Sequence, residues 1–262
     1  PGLTPAPPCP SLAGQGTASW GETMQDGASR ARQAAQNDLV LSFLSVRRAI
    51  GALGFFLPVA LALYGLIAGD LRASMSAYFY SPMREIFVGT LCAQAVFLWS
   101  YEGYRDPGRM ITDKLVARIA SVAAALIALA PTNPPGGAAP GCTLLQCLLT
   151  DGPGAALHAV ATAVFFAALA FYCLVLFRRG RDITGDEHAA QVIYRLCGWT
   201  IIAAIGAIGL MIVTGLDMRL APLRPIFWLE ALATFAFATS WAVKGKALRP
   251  VVRAMTAMVR PH

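Results

Sequence analysis

The stretch AIGALGFFLPVALALYGLIA, residues 49–68, includes no charged side chain. An α-helix rises 1.5 Å per residue, so about 20 residues cross a hydrocarbon layer of about 30 Å. This stretch therefore predicts a transmembrane helix.

The rest of the chain repeats this pattern. Of its 262 residues, 56% are hydrophobic and 13% are charged, whereas about 25% of the residues of a soluble domain are charged. This composition argues against a soluble enzyme and predicts an all-α, polytopic membrane protein. Five more apolar segments are of about spanning length, so we expect a bundle of six transmembrane helices. These segments are 82–101, 115–130, 155–177, 196–214 and 225–243.

Lys and Arg are divided unevenly between the two sets of loops that alternate along the chain. Seventeen of the 21 flank one set of helix ends, and four, Arg72, Arg84, Arg219 and Arg224, flank the other. Because positively charged loops stay on the cytoplasmic side of a membrane, we expect both the N and the C terminus in the cytoplasm.

Three regions follow from this pattern. Residues 1–38 are rich in Pro, Gly, Ala, Ser and Gln, and predict a disordered N-terminal leader. Residues 39–246 form the predicted six-helix transmembrane domain. Basic and apolar side chains of residues 247–262 would lie on different faces of a helix, so we expect a basic amphipathic tail on the membrane surface. The net charge of +7 then indicates contact with anionic membrane lipid rather than with nucleic acid.

Cysteine and histidine are too sparse to predict a metal or cofactor site. The chain has six Cys and three His, without a zinc-binding spacing and with too few His in the spans for a bis-histidine haem. It also has neither a Walker loop nor a Rossmann glycine motif. We therefore expect no metal and no cofactor. Cys142 and Cys147 lie five residues apart in a predicted outer loop, where they could form a disulfide.

One polar segment, residues 70–85, interrupts the apolar pattern with the sequence DLRASMSAYFYSPMRE. Hydroxyl side chains alternate with other residues from 74 to 80, so an extended backbone would put four of them on one face. These residues are Ser74, Ser76, Tyr78 and Tyr80.

Two ionisable residues inside predicted spans could lie near this segment. His158 is about one turn into the fourth span from its outer end, and Glu230 is about a turn and a half into the sixth. An ionisable group at membrane depth is rarely exposed to lipid, so we expect Glu230 to be protonated or paired with a basic side chain. The candidates are Arg84, Arg219, Arg224 and His158. Gln94, in the middle of the second span, is more typical of packing between helices.

These residues suggest an outward-facing pocket for a polar or anionic headgroup. Arg84 and Glu85 fall in the first turn of the second predicted span, and an arginine beside free helix N–H groups suits phosphate or carboxylate. The predicted ligand-binding residues are Ser74, Ser76, Tyr78, Tyr80, Arg84, Glu85, His158 and Glu230.

Three functions stay open. The first is non-enzymatic: binding or passing a polar or amphipathic ligand, such as a lipid headgroup. The second is an intramembrane lipid-modifying hydrolase, in which Glu230 or His158 acts as a general base on a hydroxyl from residues 74–80. The third is a structural subunit of a membrane complex, in which Glu230 and an arginine form a structural tie.

Two segments carry a resemblance to a known group of proteins. Residues 74–89, SMSAYFYSPMREIFVG, and residues 228–245, WLEALATFAFATSWAVKG, resemble signature segments of small, uncharacterised bacterial integral membrane proteins with about six spans. The resemblance implies a multi-pass protein of the bacterial inner membrane. It implies no catalytic residues.

Overall fold

The computed structural model describes the backbone of residues 16–103, 108, 110–134, 143–149, 151–179, 185–250 and 252. Side chains are described within these ranges from residue 42 onward, except at residues 151 and 185–187. All regular structure in this part of the chain is helical, which confirms the all-α prediction. The chain divides into two compact units, Pro1–Phe43 and Leu44–His262, and every helix after the first lies in the second unit.

Helix α1, Gly16–Ile67, begins inside the segment predicted to be a disordered leader. Residues 16–38 of that segment have a helical backbone because residues 28–36 are mostly Ala, Arg and Gln, which are strong helix formers. Residues 1–15 lie outside the described part of the chain. Of the predicted tail at 247–262, residues 251 and 253–262 lie outside it as well.

Seven more α-helices follow within the described residues, and the six predicted apolar segments lie on α1, α2, α3, α5, α6 and α8. The bounds are α2 Arg84–Trp99, α3 Asp113–Leu129, α4 Leu144–Leu149, α5 Asp151–Phe171, α6 Gly185–Thr214, α7 Leu216–Arg219 and α8 Pro225–Lys244. A π-helical turn, Tyr172–Leu176, continues α5, and 3-10 helices cover Ser76–Tyr80 and Ala221–Leu223.

Among the described residues, four helical segments are long and apolar enough to cross a membrane: Ser42–Ile67, Gly152–Leu176, His188–Thr214 and Ala221–Lys244. Helices α2 and α3 have 16 and 17 residues, and are about 24 and 26 Å long at 1.5 Å per residue. Helix α2 is thus shorter than its predicted span, 82–101, whereas α3 begins and ends within two residues of its predicted bounds, 115 and 130. The Thr112 hydroxyl accepts a hydrogen bond from the Leu115 N–H and so caps α3 at its start, and Pro131 follows soon after its end.

Helices α1 and α8 pack with their backbones close together because glycine occupies the contact. A Cβ atom on Gly51 would lie 3.1 Å from the Ala242 nitrogen and 3.2 Å from the Ala238 oxygen. Helix α8 also packs against α6, while α3 packs between α2 and α5. These contacts bring α1, α2, α3, α5 and α8 around one interior.

We expect Gly51→Leu to destabilise the protein by about 1 to 3 kcal/mol, because the added side chain has no room between the two backbones. Gly89→Leu is the matched control, since a Cβ atom on Gly89, also within a helix, would meet nothing within 4 Å. The free energy of unfolding, measured by titrating the micelle-bound protein with sodium dodecyl sulfate, checks the prediction. Equal losses in both variants would contradict the close packing of α1 and α8.

Candidate functional site

A cavity of about 60 Å³ lies among helices α1, α2, α3, α5 and α8. We call it the bundle cavity. Most of its lining is apolar, but six polar residues also line it. These are Ser76, Thr90, Gln94, Thr162, Glu230 and Thr234. Helix α2 contributes Thr90 and Gln94. These residues are four positions apart, so they lie on the same face of the helix, one turn from each other.

Glu230 attaches the loop before the 3-10 helix to α8. Its Oε2 atom accepts a hydrogen bond of 2.6 Å from the Met75 N–H. One turn earlier on α8, the Phe227 N–H donates to the Ala73 carbonyl at 3.1 Å. The first N–H groups of a helix have no partner within it, so the loop carbonyl satisfies one of them. Two bonds therefore hold residues 73–75 against the start of α8.

Glu230 has no cationic partner among the described residues. The predicted ion pair with Arg84, Arg219, Arg224 or His158 is therefore not formed. The Arg84 guanidinium instead lies over the Phe79 ring, 4.3 Å from its centroid. The Met75 bond goes to Oε2. The other carboxylate oxygen, Oε1, forms no hydrogen bond with the described residues.

His158 and Ser76 are in direct contact, as two members of the predicted site. The His158 Nε2 atom lies 2.9 Å from Ser76 Oγ, and Nδ1 lies 2.6 Å from the Ala130 carbonyl oxygen. A carbonyl oxygen only accepts, so Nδ1 carries a proton and donates it. In the neutral ring Nε2 is then the acceptor of the Ser76 hydroxyl proton. Both side chains are buried, with 4% and 7% exposure.

Gln94 and Thr162 have buried polar atoms that lack hydrogen-bond partners among the described residues. Neither amide atom of Gln94 nor the Thr162 hydroxyl forms a hydrogen bond with a described residue, and Gln94 is 4% exposed. An unsatisfied buried polar group costs about 1 to 3 kcal/mol. The sequence around Gln94 is typical of packing between helices and nothing in the sequence distinguishes Thr162, because an uncharged polar residue in a span is usually a packing residue.

The predicted extended face of residues 74–80 is wrong, because these residues turn into a 3-10 helix. The Ser74 hydroxyl accepts a hydrogen bond from the Ala77 N–H at 3.1 Å, and the Met75 carbonyl accepts one from the Tyr78 N–H, also at 3.1 Å. Period-three geometry separates the alternating hydroxyl side chains. Ser76 therefore lines the bundle cavity, while Ser74 does not.

The two tyrosines also lie away from the lining. Tyr78 is fully buried, packs on Phe227 and Tyr64, and its hydroxyl lies against Gly65. Burial raises the pKa of the Tyr78 phenol above its ordinary value. The Tyr80 hydroxyl donates to the Thr132 carbonyl at 2.6 Å.

Arg84 and Glu85 lie on the exposed side of α2 and do not line the bundle cavity. Three of the eight predicted residues, Ser76, His158 and Glu230, are thus gathered at the cavity or in contact with its lining. The remaining five stabilise the loop or face outward.

The short helix α4 is tied to this end of the bundle. The Gln146 amide donates to the Tyr80 hydroxyl at 2.6 Å, and its carbonyl oxygen accepts from the Thr143 N–H at 3.0 Å. Cys147 is disulfide-bonded. Cys142 lies outside the described residues, so its pairing with Cys147 stays a prediction. No group of three or more His, Cys, Asp or Glu side chains suited to a metal occurs in the described part of the chain.

No protein-family model matches this chain, and no curated protein or solved structure matches it. The resemblance carried by residues 74–89 and 228–245 therefore gains no support. The geometry of the bundle cavity is the evidence that bears on the function of the chain.

Gln94→Leu should leave the free energy of unfolding unchanged or raise it slightly, because leucine removes a buried amide that has no partner in the described part of the protein. Gln146→Leu is the matched control. It should cost about 1 to 3 kcal/mol, since it deprives Tyr80 and Thr143 of a hydrogen-bond partner. Unfolding of both variants in sodium dodecyl sulfate provides the measurement. A clear loss of stability in Gln94→Leu would mean that the amide has a structural partner after all.

Proposed function

We propose that this chain is a six-span protein of the bacterial inner membrane, with both termini in the cytoplasm, that binds or passes a small polar or amphipathic ligand in the bundle cavity. The observation that carries the proposal is Glu230, a carboxylate in a spanning-length helix that lines an apolar cavity without a cationic partner in the described protein. An ionisable residue in a membrane bundle is costly and usually marks a ligand or ion site.

Gln94 and Thr162 support the same proposal. Their unpaired polar atoms are buried beside the cavity, and a polar molecule in the cavity would supply the missing hydrogen bonds. Ligand sites in bundles are typically apolar with a few polar groups that fix orientation. Arg84 lies outside the cavity, so the proposed ligand binds within the bundle rather than at the loop surface.

The contacts where α2 ends and where α3 begins support six spans. Tyr101, which follows α2, accepts a hydrogen bond of 3.1 Å from Arg47, which lies at the start of the apolar segment of α1. At the start of α3, the Asp113 carbonyl accepts a hydrogen bond from Tyr172. Both contacts lie at the end of the bundle opposite Glu230. Helices α2 and α3 thus run between the same two ends as the longer helices, and a short span can be accommodated by local bilayer thinning.

Basic residues support the orientation. Among the described residues, Lys and Arg are more numerous at the Arg47 end of the bundle than at the end where α1 is connected to α2. Positively charged loops stay on the cytoplasmic side, so this distribution favours a cytoplasmic location for the Arg47 end. Members of the first group are Arg47, Arg48, Lys114, Arg118, Arg178, Arg179, Arg195, Lys244, Lys246 and Arg249, and members of the second are Arg72, Arg84, Arg219 and Arg224.

Cysteine labelling tests this topology at two highly exposed methionines, Met110 between α2 and α3 and Met218 in α7, which are 94% and 79% exposed. We expect a membrane-impermeant maleimide to label Met218→Cys on intact spheroplasts and Met110→Cys only after permeabilisation. The unsubstituted chain controls for its own cysteines. Labelling of Met110→Cys from outside would mean that α2 and α3 form a re-entrant hairpin, leaving four spans.

The occupant of the cavity can be sought directly. We expect the wild-type protein, purified from its native membrane in mild detergent, to retain a small molecule detectable by native mass spectrometry. Thr162→Phe should lose this molecule because a phenyl group fills a cavity of about 60 Å³. Thr214→Phe, a substitution at an exposed position of α6, should retain it. An empty wild-type protein, or retention by Thr162→Phe, would contradict the proposal and favour a structural role.

One observation favours an intramembrane hydrolase as a second candidate. The Ser76 hydroxyl lies 2.9 Å from His158 Nε2, and Ala130 orients the ring through Nδ1. This is the contact that a serine nucleophile and its general base require. In the same preparations, fluorophosphonate labelling that persists in Ser74→Ala and disappears in Ser76→Ala would favour hydrolysis over binding.

A further inference from the structure

We infer that the bundle cavity takes a small amphipathic organic cation, an alkylammonium whose charged group lies at Glu230 and whose apolar part lies among phenyl rings. This inference rests on the proposed ligand cavity and specifies the chemistry of its occupant. It differs from the sequence expectation of an anionic headgroup, which depended on Arg84.

The charges around the cavity favour a cation. Glu230 is the one ionisable residue among the described residues of its lining. The nearest basic ring, that of His158, contacts the lining residue Ser76 through Nε2, while its Nδ1 is bonded to the Ala130 carbonyl. An anion in the cavity would be repelled by an ionised Glu230. A cation would neutralise this carboxylate in a medium where charges interact strongly.

The aromatic lining independently favours an organic cation. Four phenyl rings line the cavity: Phe87, Phe165, Phe166 and Phe237. Phe165 lies 5.5 Å from Phe166 and 6.2 Å from Phe237 between ring centroids. A phenyl ring attracts a cation over its face, and ammonium groups are commonly recognised in this way. The same rings, with the aliphatic lining, provide an apolar environment for an alkyl chain, whereas a metal ion would require several oxygen ligands.

The unpaired polar atoms complete the site. An alkylammonium group has three N–H donors, and three residues of the lining offer oxygen acceptors: Glu230, Gln94 and Thr162. Gln94 Oε1 and Thr162 Oγ1 have no hydrogen-bond partner in the described protein. The cavity volume of about 60 Å³ restricts the ligand to a short chain. We therefore choose n-butylammonium as the probe.

Calorimetric titration tests the inference with the full chain in nanodiscs of phosphatidylcholine, whose zwitterionic surface carries no net charge to attract the probe. The probes are n-butylammonium, n-butanol and butanoate, which have similar size but different charge. We expect saturable binding of n-butylammonium, weaker binding of n-butanol and no binding of butanoate. Glu230→Gln keeps an oxygen to accept the Met75 bond but removes the charge. It should weaken n-butylammonium binding by about tenfold or more, whereas Glu85→Gln, at an exposed carboxylate of the same bundle end, should not change it.

The outcomes separate the inference from the proposed function. Binding of n-butanol as tight as that of n-butylammonium, or an unchanged affinity in Glu230→Gln, would overturn the cation inference while leaving a ligand cavity in place. Absence of binding by all three probes, together with an empty wild-type protein in native mass spectrometry, would overturn both. If Glu230→Gln does not fold, Thr162→Val and Gln94→Leu serve instead. Each removes one acceptor and should weaken n-butylammonium binding several-fold.

Discussion

The hydrogen bond between the Met75 N–H and the Glu230 carboxylate is the contact on which one end of the bundle depends. It holds the loop after α1 against the start of α8, and the neighbouring residue Ser76 then reaches His158 on α5. His158 in turn binds the carbonyl of Ala130 at the end of α3. Polar groups inside a membrane bundle have no bulk water to satisfy them, so these bonds have to close on one another. Helices α3, α5 and α8 are thereby connected through side chains rather than through apolar packing alone.

The opposite end of the bundle is built differently. Trp241 is fully buried, and its ring centroid lies 5.0 to 5.2 Å from those of Tyr101, Tyr172 and Phe177. Aromatic side chains fill space efficiently and pack best edge to face, which is the arrangement found here. The bundle cavity is lined by residues from the other end and from the middle of the helices. The two ends of the bundle are thus held differently, by hydrogen bonds among polar groups at the Glu230 end and by packed rings at the Trp241 end.

Hydropathy was sufficient to predict the positions of the six apolar helices, because spanning length and apolar composition are properties of local sequence. It did not predict how short α2 is, because the ends of that helix depend on the turn before it and on tertiary contacts. Glu230 could be identified because a carboxylate is conspicuous in an apolar segment. The role of Arg84 could not, since only the folded chain brings its guanidinium over Phe79. Gln94 gave no such signal, because whether an amide finds a partner depends on which helix faces it.

A structural role and a binding role for Glu230 are compatible, because the carboxylate has two oxygens in different situations. Oε2 accepts the Met75 N–H and fixes the loop, while Oε1 has no partner in the described protein. A purely structural acceptor would need no negative charge, since the oxygen of a glutamine would accept the same bond. Placing a carboxylate there adds a desolvation penalty that the Met75 bond alone offsets poorly. The proposed occupant of the bundle cavity would account for a carboxyl group at this position, which attachment of the loop alone does not require.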